Sequence, residues 1–237
     1  MGNGDTTRAA RLIAWLLQLQ GWQTGLSCRE GLFVNQRRLH ADDPIGFEDA
    51  ERLLINRQVQ AAVFESDVRH LMTEGLPYDR CQVGVVTRMP GTAGLEELYP
   101  GDDDRVPGYV RTQIDVVLPS GACVLNAEDD AVASLAQYCD GETLFFASTE
   151  NHPRLVEHRA AGGRVGFWRE GALVLAQGAQ ETEVLSQQRP AVGRLLREHL
   201  LDTTDMLVAA CSAWALGMGA ELIRAGIKSY GQSAAPH

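Results

Sequence analysis

Lysine is almost absent from this chain. Of its 21 basic residues only Lys228 is a lysine. No ammonium group before that position can hold a phosphate, form a Schiff base or carry a carbamate. Closely spaced cysteines are missing too. Cys28, Cys81, Cys123, Cys139 and Cys211 are odd in number, widely spread and form no C-x-x-C. That argues against a disulfide framework and a zinc site, and fits reduced thiols in a cytosolic protein. No run of apolar residues is long enough to cross a bilayer, and the amino end lacks the basic start and apolar core of a signal peptide. The expected location is the cytoplasm. Positive charge is also scarce overall: the net charge is −10, a poor match for nucleic acid or an anionic membrane surface.

What remains is an ordinary globular composition, 45% hydrophobic and 22% charged over 237 residues. It predicts one domain over residues 1–230 and a flexible polar tail over 231–237. Short apolar strands are predicted at residues 22–26, 61–64, 81–86, 122–125 and 144–146. A hairpin is predicted over 31–39, and a second joins 165–168 to 173–175 through Glu170-Gly171. Helical spacing runs over residues 8–20, 47–55, 109–117, 130–138, 152–160, 192–200, 206–216 and 220–225. Residues 88–107, with Asp102-Asp103-Asp104 at their centre, read as a solvated loop. Strand–helix alternation of this kind predicts an α/β domain, a mostly parallel sheet flanked by helices with a small β-hairpin element. Ligands in such sheets sit beyond the carboxyl ends of the strands. That rule places Glu65, Thr87 and Asn126 on one rim with the opening turn.

That turn is Met1-Gly2-Asn3-Gly4-Asp5-Thr6-Thr7, followed by an amphipathic run. It has the glycines and threonines of a phosphate-binding loop, with Thr6 or Thr7 placed to cap the helix. Asp5 stands where the phosphate-binding lysine belongs, and a carboxylate repels polyphosphate. Ala62-Val63-Phe64-Glu65 follows as a strand ending in an acid. Glu74-Gly75-Leu76-Pro77-Tyr78-Asp79, Cys81-Gln82-Val83-Gly84-Val85-Val86-Thr87-Arg88 and Val124-Leu125-Asn126-Ala127-Glu128-Asp129-Asp130 come next. His158, Gly162-Gly163 and Gly171 lie further on, and Asp202-x-x-Asp205 precedes Trp214.

In this order the segments resemble the P-loop central ATPase domain of Mur ligases, most closely the Mur-ligase-like region of cyanophycin synthetase, over nearly the whole chain. The resemblance implies an ATP-dependent ligase: ATP phosphorylates a carboxylate and an amine then displaces phosphate to give an amide. It also implies site residues. Asn3, Gly4, Thr6 and Thr7 match the nucleotide loop, Glu65 with Thr6 the Mg²⁺ position, Asn126 a motif near the nucleotide, and Asp202 and Asp205 the adenine-holding pair. Several family positions are changed. The loop lysine is Asp5, an asparagine is Arg88, and the adenine pair Asn-x-x-Asn is Asp-x-x-Asp. No histidine occurs between His70 and His152, and the carbamylated lysine expected near Val110-Arg111 is missing.

These losses would act together on charge neutralisation and positioning, which carry phosphoryl transfer. The leading expectation is therefore a non-catalytic domain with a scaffolding or oligomerisation role. It would be a homo-oligomer or a subunit of a larger synthetase, and ATP and Mg²⁺ would be cofactors only if the family site still works. The alternatives are a nucleotide or anion binder without turnover, with Arg88 or Arg111 supplying charge, and an active ligase. A loop of this type ordinarily follows a central strand, so a gap beside the opening turn, covered by another chain, is also expected.

Overall fold

The computed structural model describes residues 6–40, 46–91 and 105–232. The expectations for Asn3, Gly4, Asp5, the Asp102–Asp104 run and most of the tail fall outside these residues.

Helix α1 (Thr7–Leu19) turns a stripe of Leu12, Leu16 and Leu17 inward, and Ala9, Ala10 and Ala14 let neighbours approach closely. It leads into β1 (Thr24–Cys28), β2 (Gly31–Val34) and β3 (Arg37–His40). After α2 (Phe47–Leu54), β4 (Ala61–Phe64) returns parallel to β1. These four strands form one sheet in the order β3-β2-β1-β4.

A second sheet has six strands, β10-β9-β8-β7-β6-β5. It begins after α3 (Val68–Thr73) with β5 (Cys81–Val86). Helix α4 (Val106–Asp115), β6 (Val117–Asn126), the short α5 (Asp130–Ala133) and a 3-10 turn over Ser134–Tyr138 follow. Then come β7 (Glu142–Ala147), α6 (Pro153–Ala160), β8 (Arg164–Arg169), β9 (Ala172–Gln177) and β10 (Gln180–Ser186). Strands β5 to β8 are parallel, whereas β9 and β10 are antiparallel additions. Helices α7 (Pro190–Arg197), α8 (Thr203–Ala215) and α9 (Ala220–Ser229) close the chain.

The central strands are apolar on both faces because helices cover both faces. Val124, Leu144, Phe146, Leu173 and Leu175 pack with α1, α8 and α9. Their neighbours Cys123, Leu125, Phe145, Val165 and Val174 pack with α4, α5 and α6. Period-two alternation thus divides one sheet between two hydrophobic layers.

One contact in this core is unusually close. A Cβ at Gly166 of β8 would collide with Cys211 Sγ of α8, which is fully buried. Gly166→Ala is expected to cost about 1–3 kcal/mol by overpacking. Urea denaturation checks it, and adding Cys211→Ala should recover most of the loss.

The α/β class, the flanking helices and both hairpins are as the sequence predicts. Several boundaries differ. Helix α4 begins inside the stretch read as loop, and β6 starts at Val117 and runs through Pro119, where the sequence reads as helix end. The irregular start of β6 pairs with β5 through a register shift, and Gly121 there lies too close to Gln82 O for any side chain. The predicted helix over 130–138 divides into α5 and the 3-10 turn. The strands also form two sheets rather than one.

Candidate functional site

Apart from Asn126, the sequence-predicted residues within the described region converge on the first turn of α1. Thr6 occupies the N-cap position of that helix, but neither threonine caps it through its side chain as expected. Both hydroxyls turn to Glu65, the residue after β4. Thr6 Oγ1 donates to Glu65 Oε1 at 2.9 Å, and Thr7 Oγ1 lies 2.8 Å from Oε2 and 3.0 Å from Oε1. The backbone N–H of Arg29 donates to Oε2 at 3.0 Å, and the Arg29 guanidinium stands 3.8 Å from Oε1. Glu65 is 5% exposed and its own N–H donates to Ser27 O. A buried carboxylate is stable only with such partners.

This arrangement ties three elements together: the start of α1, the β1–β2 turn and the end of β4. It does not fit a protein-built Mg²⁺ site. Mg²⁺ requires near-octahedral oxygen ligation. Here a single carboxylate already accepts three hydrogen bonds beside a guanidinium. Among the described residues no group of three or more His, Cys, Asp or Glu could hold a metal ion.

The next residue, Arg8, faces the other predicted pair. Its Nη2 lies 2.8 Å from Asp202 Oδ2 and its Nε 2.9 Å from Asp205 Oδ2. The two aspartates also form a reciprocal capping box on α8. The Asp205 N–H donates to Asp202 Oδ1, and the Asp202 N–H donates to Asp205 Oδ2, both at 2.8 Å. Burial, reinforced by the negative charge of Asp202, pushes the Asp205 carboxyl up to about 6, against the pull of the capping hydrogen bond and of Arg8. An asparagine amide can both donate to and accept from an adenine edge, whereas an ionised carboxylate can only accept. Asp202 and Asp205 therefore work here as a helix cap and an anchor for α1.

Asn126 is brought to the same rim and is also occupied. Its Nδ2 donates to Thr87 O at 2.9 Å, and its Oδ1 accepts from the Glu128 N–H at 3.0 Å, joining the ends of β5 and β6. Arg111 lies over the Tyr138 ring and pairs with Asp115 on its own helix. Arg88 is exposed and lines one cavity with Thr6, Arg29 and Glu65. His158 sits under Gly163 and bonds to Thr143 O at 2.9 Å, a packing role. Cys28 is buried beside the Glu65 turn, and burial raises its thiol to about 11, so it is no nucleophile.

Sequence reasoning missed Arg8 as the partner of the aspartate pair. The residues lie 194 positions apart, and only their opposite charges at two helix starts hinted at it. Arg29 was missed for the same reason.

No family model matches the chain. Over 240 residues it is 25% identical to the cyanophycin synthetase of Synechocystis sp., covering 98% of this chain and 26% of that protein. The cyanophycin synthetase of Geminocystis herdmanii is likewise 25% identical over 236 residues, with the same coverage. The chain thus spans about a quarter of the length of these relatives. Among solved structures, a UDP-N-acetylmuramoyl-L-alanyl-D-glutamate–2,6-diaminopimelate ligase superposes with a TM-score of 0.65 at 13% identity, over 96% of this chain and 45% of that one. The FolC protein of E. coli, solved with ADP, gives 0.58 at 13% identity, over 96% and 55%. The fold is that of the Mur ligase central domain, and the similarity in sequence is to cyanophycin synthetase. No helix among the described residues is long and apolar enough to cross a membrane.

Proposed function

We propose that this chain is a Mur-ligase-like domain that no longer catalyses ligation and serves as a scaffold, holding an oligomer or a larger synthetase together. The observation that carries this reading is the inward use of the ligand-facing groups. Glu65 is held by Thr6, Thr7 and Arg29, and Asp202 and Asp205 are held by Arg8 and by each other. Residues that would meet nucleotide and metal in a ligase instead bind the first turn of α1 to its neighbours. The sequence adds Asp5 at the lysine position. Without the lysine, a main source of charge neutralisation for a transferring phosphoryl group is missing.

Phosphate release tests this. With MgATP and candidate carboxylate and amine substrates, release by the chain is expected to equal the buffer background. Turnover that disappears in Glu65→Ala would show that the ligase reaction of the relatives persists here.

A second reading has one observation behind it: Arg29 and Arg88 line the same cavity as Thr6. Two guanidinium groups beside a helix start suit a small anion. In this reading the domain binds nucleotide or phosphate without turnover.

A further inference from the structure

The thiols are unevenly placed in the fold. Cys28 packs with Ala10, Ala14 and Leu26, and Cys211 lies in the separate layer beneath α8. Cys81, Cys123 and Cys139 come together. Cys81 opens β5, Cys123 lies in β6, and Cys139 follows the 3-10 turn that leads into β7. Cys139 interacts with both of the others. All five thiols are free, and the three do not make a metal site.

Two of the three are held side by side. Cys123 stands opposite Thr143 in the β6–β7 ladder, and its Sγ lies 3.3 Å from Thr143 Oγ1. Cys139 begins the turn Cys139-Asp140-Gly141-Glu142 that enters β7. The turn is pressed against β6, because Gly141 lies too close to Gly121 O for any side chain. The Cys139 thiol points back along the chain and donates to Glu142 O at 3.8 Å. The two sulfurs thus flank consecutive residues of one strand, Glu142 and Thr143. Cys139 also packs against the hydrophobic layer that contains Cys123, so both lie on the same face of the sheet.

Their access to solvent differs. Cys123 is completely buried, whereas Cys139 is half-buried. Burial pushes the Cys123 thiol up to about 12, although the Thr143 hydroxyl favours its thiolate. A dissolved oxidant therefore meets Cys139 first.

We propose that Cys139 and Cys123 form a reversible thiol-oxidation site: Cys139 reacts with a low-molecular-weight disulfide from solvent, and Cys123 resolves the adduct into an intramolecular Cys123–Cys139 bond. In the first step Cys139 Sγ attacks one sulfur of the small disulfide. The small S–S bond breaks, and the leaving thiolate takes up the proton that Cys139 released. In the second step Cys123 Sγ attacks Cys139 Sγ. The mixed disulfide breaks, and a second small thiol leaves with the proton of Cys123. The protein pair loses two electrons and the small disulfide gains them. Thr143 supports the second step by donating to the Cys123 thiolate. In a reducing compartment such a bond is transient and responds to oxidation. The closed loop, residues 123–139, carries Asn126 and Asp129, whose bonds to Thr87 O and the Met89 N–H tie β6 to the end of β5. The site does not depend on whether the domain turns over ATP.

The test equilibrates the full chain with mixtures of reduced and oxidised glutathione, traps free thiols with iodoacetamide and identifies peptides by mass spectrometry. Cleavage after Glu128 and Glu142 places Cys123 and Cys139 on separate peptides. The expected product is that pair of peptides joined by a Cys123–Cys139 bond, which dithiothreitol removes. The effective concentration of the pair is expected to be at least about tenfold higher in the folded chain than in the same chain in urea, because the fold holds the sulfurs together. Cys139→Ala should abolish the bond, and Cys81→Ala should leave it unchanged. Cys123→Ala should stop the reaction at the glutathione adduct of Cys139. The comparison of folded and urea-unfolded wild-type chain needs no variant, so it decides the matter even where a core substitution prevents folding. An effective concentration no higher than in urea overturns the proposal. So does a bond between Cys81 and Cys139, a bond formed only between two molecules, or an adduct on Cys139 that never proceeds to the bond.

Discussion

Replacing Glu65 with alanine is expected to destabilise the domain by about 2–4 kcal/mol, lowering its melting temperature by roughly 5–15 °C. The substitution removes the acceptor for the Thr6 and Thr7 hydroxyls and for the Arg29 N–H at once. Thr7 is 3% exposed, so water does not readily replace the lost oxygens. Glu65→Gln keeps one acceptor oxygen, and a threonine hydroxyl can rotate to accept from the new amide; its expected cost is about half as large. A Glu65 that served only to hold a metal would behave in the opposite way, because an isolated buried carboxylate is a liability and its removal would stabilise the chain. Chemical denaturation of the two variants separates the two roles.

The second large effect is at Arg8. Arg8→Ala leaves Asp202 and Asp205 paired through backbone bonds but without a cation. The expected loss is about 2–3 kcal/mol at pH 8 and about 1 kcal/mol at pH 5. The sign follows from Asp205. Its folded pKa of about 6 lies above the ordinary aspartate value of 3.8, because burial disfavours the charged form. Between those values the folded state holds a proton that the unfolded chain has released. Stability from this group is thus fully present below about pH 4 and is lost as pH rises through 6. At pH 5 Asp205 is largely protonated and has little need of Arg8. At pH 8 it is ionised, and removal of Arg8 leaves a buried negative charge without its counter-ion. A variant loss equal at both pH values would mean that Arg8 acts through Asp202 alone.

Both expectations rest on one turn of helix, and the sequence made half of that turn readable. The apolar spacing of Leu12, Leu16 and Leu17 defines α1, and the run Ala61 to Phe64 ending in Glu65 defines β4. The β8–β9 hairpin was legible because Glu170 and Gly171 are a turn pair, and both do take positive φ, 50° and 77°. Other elements carry no local signal. β10 is an exposed edge whose Gln-Glu-Thr-Glu start looks like loop, and its pairing to β9 comes from the hairpin alone. Pro119 and Gly121 read as the end of a helix, yet they belong to a strand whose irregular register absorbs them.

The site shows the same division. Residue types and order pointed to Thr6, Thr7, Glu65, Asn126, Asp202 and Asp205, and the structure brings them to one rim. What each side chain does there depends on partners far away in sequence. Glu65 and Thr7 are 58 residues apart, and Arg8 and Asp202 are 194 apart. Periodicity cannot show that these groups bind one another.

Isothermal titration calorimetry of the full chain with ATP and excess Mg²⁺, paired with a thermal shift on the same sample, tests that inward arrangement most directly. The expected result is no measurable heat of binding and no shift at millimolar nucleotide. Saturable binding that stabilises the chain by more than about 2 kcal/mol would contradict it, because linkage on that scale requires a folded site that prefers nucleotide to its own internal bonds.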